Sequence, residues 1–229
     1  MTIRSSLIDR FLLPELFDEA LWKGGSNQKF DFICPQAFGR NTWLDSEVGR
    51  IAEGRRDESD HDDLAIFESL EGDDFDPGRP NWLLAEQCVR LWLQHNVPII
   101  GQWEVLYAVW QLNKVAYREH RELFCAIWPS SCEYLGTRGM LLEAWRIALN
   151  VFCVPKPRVV AHPEHIQRCY FLARKIFGAE NVSIWVSSEQ ECDRCWFDSQ
   201  SVQWWTRGPI RWLAYEMLVR IHHQLRGWF

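Results

Sequence analysis

Two histidines and an arginine stand where an apolar run gives way to a helical pattern. His162, His165 and Arg168 follow the apolar run 158–161 at intervals of three residues. A histidine can act as an acid or base near neutral pH, and an arginine can hold a carboxylate or phosphate with two parallel hydrogen bonds. The helix start adds backbone donors for negative charge. The segment therefore predicts an anion site, with His165 as acid or base, Arg168 as clamp and His162 as a further binding residue.

A structural role is open for the same segment. In that interpretation the two histidines cap the helix, and Arg168 pairs with an acid at the surface. If Arg168 is buried, it needs an anionic ligand or an acidic partner, because an unpaired buried charge is costly. We expect Glu104 to be that partner when the cleft is empty, and to act as a second catalytic group that orients the substrate. Glu104 stands at the start of a predicted helix, where the helix dipole alone also favours an acid.

Further polar residues follow other predicted strands. Ser130 and Ser131 come directly after an apolar run, and Thr137 stands at the next helix start. Small hydroxyl residues there suit a phosphate or carboxylate group, although such residues before a helix are most often caps. Gln36 follows the first predicted strand and is a further candidate ligand-binding residue.

Two other motifs indicate metal or redox chemistry less strongly. Cys192 and Cys195 form a Cys-x-x-Cys pair, but zinc needs a second pair of ligands, and a redox pair normally opens a helix early in the chain. The acidic run 57–63 lacks the glycine and terminal glutamate spacing of a calcium loop. We therefore predict no metal site.

The C-terminal part of the chain is rich in tryptophan, with Trp196, Trp204, Trp205, Trp212 and Trp228. These rings could form one wall of a groove for a sugar, a base or an acyl group. The helical spacing of Trp212, Tyr215 and Val219 is equally typical of core packing. Both interpretations are open at this point.

The elements that position these residues follow from hydrophobic periodicity. The predicted strands are 30–34, 97–101, 123–128, 158–161 and 182–186, and the predicted helices are 5–21, 64–70, 82–95, 103–120, 138–151, 164–177 and 208–225. Strands that alternate with helices predict a three-layer α/β sandwich: a mainly parallel sheet of about five strands with helices on both faces. In such sheets ligands bind beyond the carboxyl ends of the strands.

Length and composition favour a single α/β domain over residues 1–229, with 47% hydrophobic and 24% charged residues. The net charge of −6 argues against nucleic-acid binding, which needs a basic face. With no secretory signal, no long apolar run and eight cysteines, mostly in apolar segments, we expect a soluble cytoplasmic protein without a membrane helix. Residues 53–80, rich in acids, glycine and proline, are expected to form a peripheral, mobile excursion.

The ordered segments resemble the YdcF/SanA/ElyC-like family of bacterial α/β domains over roughly residues 28–226. The most specific part is the order strand, small residue, His165, apolar residue, any residue, Arg168. The other matching segments are 30–33, 97–101, Thr137 with Glu143, and the C-terminal helix with Glu216. The resemblance implies a Rossmann-like fold with a polar site at the strand ends, envelope-linked processes, and S-adenosylmethionine as a candidate ligand. In place of the family's glycine-rich first turn this chain has residues 35–39, whose bulky side chains oppose close approach of a phosphate.

Three functions are compatible with these observations. The leading hypothesis is an enzyme that acts on a small anionic or nucleotide-like ligand in a strand-end cleft. The second is a non-catalytic module that binds such a ligand, with S-adenosylmethionine as one candidate. The third is an interaction protein whose acidic and tryptophan-rich surfaces dock a protein partner.

Overall fold

The computed structural model describes residues 29–41, 63–72, 75–129, 136–185 and 196–227, in which strands and helices alternate. The strands are β1 (Phe32–Gln36), β2 (Ile99–Gln102), β3 (Phe124–Ile127), β4 (Pro157–Ala161) and β5 (Ser183–Ile184). The helices are α1 (Asp63–Gly72), α2 (Arg79–His95), α3 (Trp103–Leu112), α4 (Lys114–Glu119), α5 (Thr137–Leu149), α6 (Ile166–Phe177) and α7 (Pro209–Leu225). Each lies within a few residues of a predicted element, whereas the predicted helix 5–21 falls outside the described residues.

The five strands form one parallel sheet in the order β3-β2-β1-β4-β5. The chain moves outward from β1 to β3 and then returns across the sheet to β4. This arrangement confirms the predicted α/β fold. It also creates a switch point between β1 and β4, the place where an open parallel sheet leaves a crevice at its carboxyl edge.

Two apolar cores cover the two faces of the sheet, because successive strand residues point to opposite faces. Ile33 and Val160 pack on one face with residues of α1 to α4. Cys34 and Val159 pack on the other face with residues of α5 and α6. Within the described ranges, no helix is both long enough and apolar enough to cross a membrane.

The stretch 53–80 was expected to lie at the periphery, and for its described part this is wrong. Phe67 and Leu70 of α1 are fully buried in the first core. The acidic composition hid this role because Glu68 and Glu71 occupy the outer side of the same helix, where Glu68 pairs with Arg118. Residues 53–62 fall outside the described residues.

Candidate functional site

A cavity of about 110 Å³ lies at the switch point, beyond the carboxyl ends of β1 and β4. Three of the predicted site residues line it together: Thr137 at the start of α5, and His165 and Arg168 at the start of α6. The loop after β1 forms a second wall, and α7 with the segment that precedes it forms a third. The residues that follow β1 and β4 and the start of α5 therefore meet at one place, whereas no residue of the described loop after β2 lines the cavity.

A glycine fixes the loop after β1. Gly39 has a φ of +74°, and a Cβ there would lie 2.6 Å from the Thr206 hydroxyl and 2.8 Å from the Ser201 hydroxyl. The buried Asn81 of α2 accepts a hydrogen bond from the Phe38 N–H at 2.9 Å and donates to the Gly39 carbonyl. Only glycine combines this backbone conformation with so close an approach, so this wall of the cavity is fixed.

His165 is held as a neutral ring by its two neighbours. Its Nδ1 lies 3.1 Å from Nη2 of Arg168, and its Nε2 lies 3.2 Å from the Thr137 hydroxyl. A guanidinium can only donate, so Nδ1 accepts and the ring proton is on Nε2, which donates to Thr137. Burial, and then repulsion by Arg168, lowers the pKa of His165 well below its ordinary 6.5. The hydroxyl proton of Thr137 is therefore left to donate to a ligand.

A buried charge cluster stands behind His165. Nη1 of Arg168 lies 3.1 Å from Oε2 of Glu216, whose other oxygen accepts a hydrogen bond from Nε of Arg220 at 3.0 Å. All three side chains are about 95% buried or more. Nε of Arg168 has no hydrogen-bond partner among the described residues, and Nη1 has only its ion pair with Glu216. Arg168 thus shares one carboxylate with a second guanidinium and keeps a buried N–H without an acceptor, which favours an anion in the cavity.

Aromatic rings complete the cavity and hold Arg168 in place. The guanidinium carbon lies 5.5 Å from the Trp212 ring centre and 5.8 Å from that of Tyr215, distances typical of cation–π contacts. Trp205 stacks on Tyr215 with ring centres 5.0 Å apart. Trp205 and Trp212 thus both line the cavity and pack against neighbouring rings, so the two interpretations of this cluster are not exclusive. Trp228 falls outside the described residues.

Glu104 is not the partner of Arg168, contrary to expectation. Its Oε1 lies 3.7 Å from Nη1 of Arg40, and Glu104 is not among the residues that line the cavity. The reason is the fold: Glu104 begins α3, which covers the face of the sheet opposite to α6. The sequence order of strand and helix could not show which face each helix takes.

His162 and Gln36 are buried close to the cavity but do not line it. Nε2 of His162 donates to the Trp196 carbonyl at 2.9 Å, and Nδ1 accepts from the Glu164 N–H at 3.1 Å. Burial lowers the pKa of His162 to about 3, and its ring stacks on Phe38 at 3.7 Å. Gln36 is fully buried at the end of β1 beneath the start of α5. Neither side chain lines the cavity, so their predicted ligand contacts stay predictions.

Several residues of the predicted site and of the Cys-x-x-Cys motif lie outside the described ranges. Ser130, Ser131, Cys192 and Cys195 are not described. In the parts of the chain that are described, no three histidine, cysteine, aspartate or glutamate side chains are grouped so that they could hold a metal ion.

Sequence reasoning missed the charged residues of α7. Glu216 and Arg220 stand four residues apart, on the inner side of a helix whose other inner residues are mostly aromatic or apolar. An acid and a base at this spacing, aligned with Trp212, were the available signal. The periodicity of Trp212, Tyr215 and Val219 left core packing and a groove wall equally open, and Glu216 entered only through the family resemblance. Gln203, buried and lining the cavity, carried no comparable signal.

Comparisons with protein-family models, with curated proteins and with solved structures found no match to this chain. The resemblance to the YdcF/SanA/ElyC-like family stays a prediction. The function is therefore argued from the geometry of the site.

Proposed function

We propose that this chain binds a small anionic ligand in the switch-point cavity, with Arg168 as the clamp. The observation that carries the proposal is a buried guanidinium on the cavity wall that shares one carboxylate with Arg220, and whose Nε has no hydrogen-bond partner among the described residues. His165 beside it is neutral, so it does not balance the charge of Arg168. The Thr137 hydroxyl and the backbone N–H groups at the start of α5 supply further donors.

The size of the cavity favours a small acid or the anionic end of a larger molecule. Its 110 Å³ is well below the roughly 300–1,000 Å³ typical of sites that enclose drug-sized ligands. Phe38 fills the turn after β1, where a dinucleotide-binding fold has glycines that admit the pyrophosphate. Both features support a carboxylate or phosphate group over a complete nucleotide or a complete S-adenosylmethionine.

The geometry supports binding ahead of catalysis. Both ring nitrogens of His165 are engaged, and Nδ1 cannot accept a proton while Arg168 donates to it. An acid–base role for His165 thus requires a ligand that draws Arg168 away from Nδ1. Glu104, which does not line the cavity, has no part in the proposal.

The test is anion binding by paired arginine variants. Calorimetric titration with phosphate, sulfate and acetate at constant ionic strength, with chloride as the reference salt, measures the affinity of each anion. Arg168→Lys keeps the charge but loses the planar fork, so we expect affinity to fall by about tenfold or more. Arg40→Lys changes a mostly buried arginine outside the cavity and should leave affinity unchanged. Equal binding by Arg168→Ala and the parent chain would overturn the proposal.

A further inference from the structure

The outer face of α7 is mostly apolar, with the exposed Gln224 near one edge of it. Six aliphatic side chains have exposed fractions from 36% to 83%: Ile210, Leu213, Met217, Leu218, Ile221 and Leu225. At about 100° per residue they fall within an arc of about 140°, opposite the buried side that carries Glu216 and Arg220. A continuous exposed patch of this kind marks an interaction surface more often than chance exposure. We call these six residues the outer stripe.

The exposed charged residues of the described segment 204–227 that are not histidines all carry a positive charge. Arg207, Arg211 and Arg226 are exposed, and within the described residues 204–227 the only acid, Glu216, is buried. This is a local basic region in a chain whose net charge is −6. An apolar stripe flanked by arginines is complementary to a partner that is apolar in the middle and negatively charged at its edge.

The shape and the charges disfavour two protein partners. The outer stripe is on the convex side of one helix, whereas a helical peptide is recognised in a groove. A second copy of the chain, paired antiparallel about Met217, would bring Arg226 of one chain beside Arg207 of the other. The stripe is also only about 22 Å long, too short for the area of roughly 800 Å² per partner that a stable dimer buries.

We propose that the outer stripe binds the surface of a membrane that contains anionic lipids. The aliphatic side chains enter the boundary between headgroups and acyl chains, and the arginines lie at the level of the phosphates. Trp204, half exposed just before α7, suits the same interfacial position. This inference does not depend on the cavity.

The experiment is flotation of the full chain with phosphatidylcholine vesicles, with and without phosphatidylglycerol. We expect the chain to float with the anionic vesicles and not with the neutral ones, and to be released by high salt. Leu218→Glu combined with Ile221→Glu should lower the bound fraction by about tenfold or more, since both side chains would have to enter the acyl boundary. Leu93→Glu combined with Val115→Glu adds the same charge at similarly exposed positions elsewhere, and should bind as the parent does.

Three outcomes would overturn the proposal. One is equal flotation of the two double variants, both shown by melting to be folded. Another is absence of flotation together with a dimer in light scattering that Leu218→Glu dissociates, which would assign the stripe to a second copy. The third is absence of flotation by a monomer, with Met217 and Leu218 protected from hydroxyl-radical labelling, which would show that another part of the chain covers the stripe.

Discussion

Two buried arginine–glutamate pairs lie near the carboxyl edge of the sheet, and they differ in the balance of charge around them. On the α3 side, Arg40 faces Glu104 at 3.7 Å, one charge against one. On the α6 side, Arg168 faces Glu216 at 3.1 Å, but Arg220 shares the same carboxylate. Only the second pair borders the cavity. A buried ion pair alone therefore does not set a region apart, whereas a carboxylate shared by two arginines beside a cavity does, and the second region is the one we propose as the ligand site.

The sharpest test of this difference removes each carboxylate in turn. Glu216→Gln removes the buried carboxylate that pairs with both Arg168 and Arg220, so the free energy of unfolding should fall by about 3–5 kcal/mol. Burial raises the pKa of Glu104, which makes its neutral form accessible. Glu104→Gln should then cost only about 1 kcal/mol or less. Urea unfolding followed by circular dichroism measures both values, and equal losses would contradict the distinction between the two pairs.

The loop after β1 connects the two regions, because Gly39 lines the cavity and the next residue, Arg40, belongs to the other pair. Gly39→Ala would place a Cβ against Thr206 at a positive φ, and we expect a loss of about 1–3 kcal/mol together with weaker anion binding. Gly136→Ala is the matched control: Gly136 also lines the cavity, but its φ is −64° and no atom lies within 4 Å of the added Cβ. Thermal melting of both variants measures the difference; similar losses would mean that the loop is not fixed by Gly39.

The contributions of His162 and Glu104 to the free energy of unfolding should change in opposite directions as the pH falls. His162 has a pKa of about 3 when folded and about 6.5 when unfolded, so the unfolded chain takes up its proton first. Its share of stability is lost as pH falls below 6.5, by about 1.4 kcal/mol per pH unit. Glu104, whose folded pKa is raised, instead gains stability as pH falls through that pKa.

Unfolding free energies measured between pH 7 and pH 4.5 separate these contributions. His162→Gln should lose less stability on acidification than the parent chain, and Glu104→Gln should lose more. Parallel curves for the parent and for His162→Gln would show that the ring is protonated in the folded chain.

The smallest expected effect concerns the Thr137 hydroxyl. Because His165 donates to its oxygen, the hydroxyl proton is free to donate to an anion, and Thr137→Val removes that donor. We expect about fivefold weaker binding of the anion, equivalent to one ordinary hydrogen bond, with Thr137→Ser restoring it. Calorimetric titration gives the affinities. An unchanged affinity for Thr137→Val would place the ligand away from the start of α5.

The strands and most helices could be predicted because each carries its signal locally. The run 158–161 is apolar and the helix after it has regular spacing, so the position of His165 and Arg168 at a strand end followed from the sequence. Thr137 joined them because it too begins a helix after a strand. These are consequences of chain order in a parallel sheet.

The partner of Arg168 could not be predicted in the same way. Choosing between Glu104 and Glu216 requires knowledge of which face each helix covers, and this depends on where the chain crosses back over the sheet. The same limitation affected α1, whose glutamates face outward while Phe67 is buried. Chain order gives the edge of the sheet at which a side chain lies, but packing decides its neighbours.

The central position of β1 has a consequence for synthesis on the ribosome. Ile33 of β1 pairs with Ile99 of β2 and Arg158 of β4, so β4 is made about 125 residues after β1. At about 5–20 residues per second, roughly 6–25 s pass before β4 can emerge. The strand that is most enclosed in the finished fold is therefore among the earliest translated, and its apolar residues wait for seconds in the nascent chain without the neighbour that encloses them.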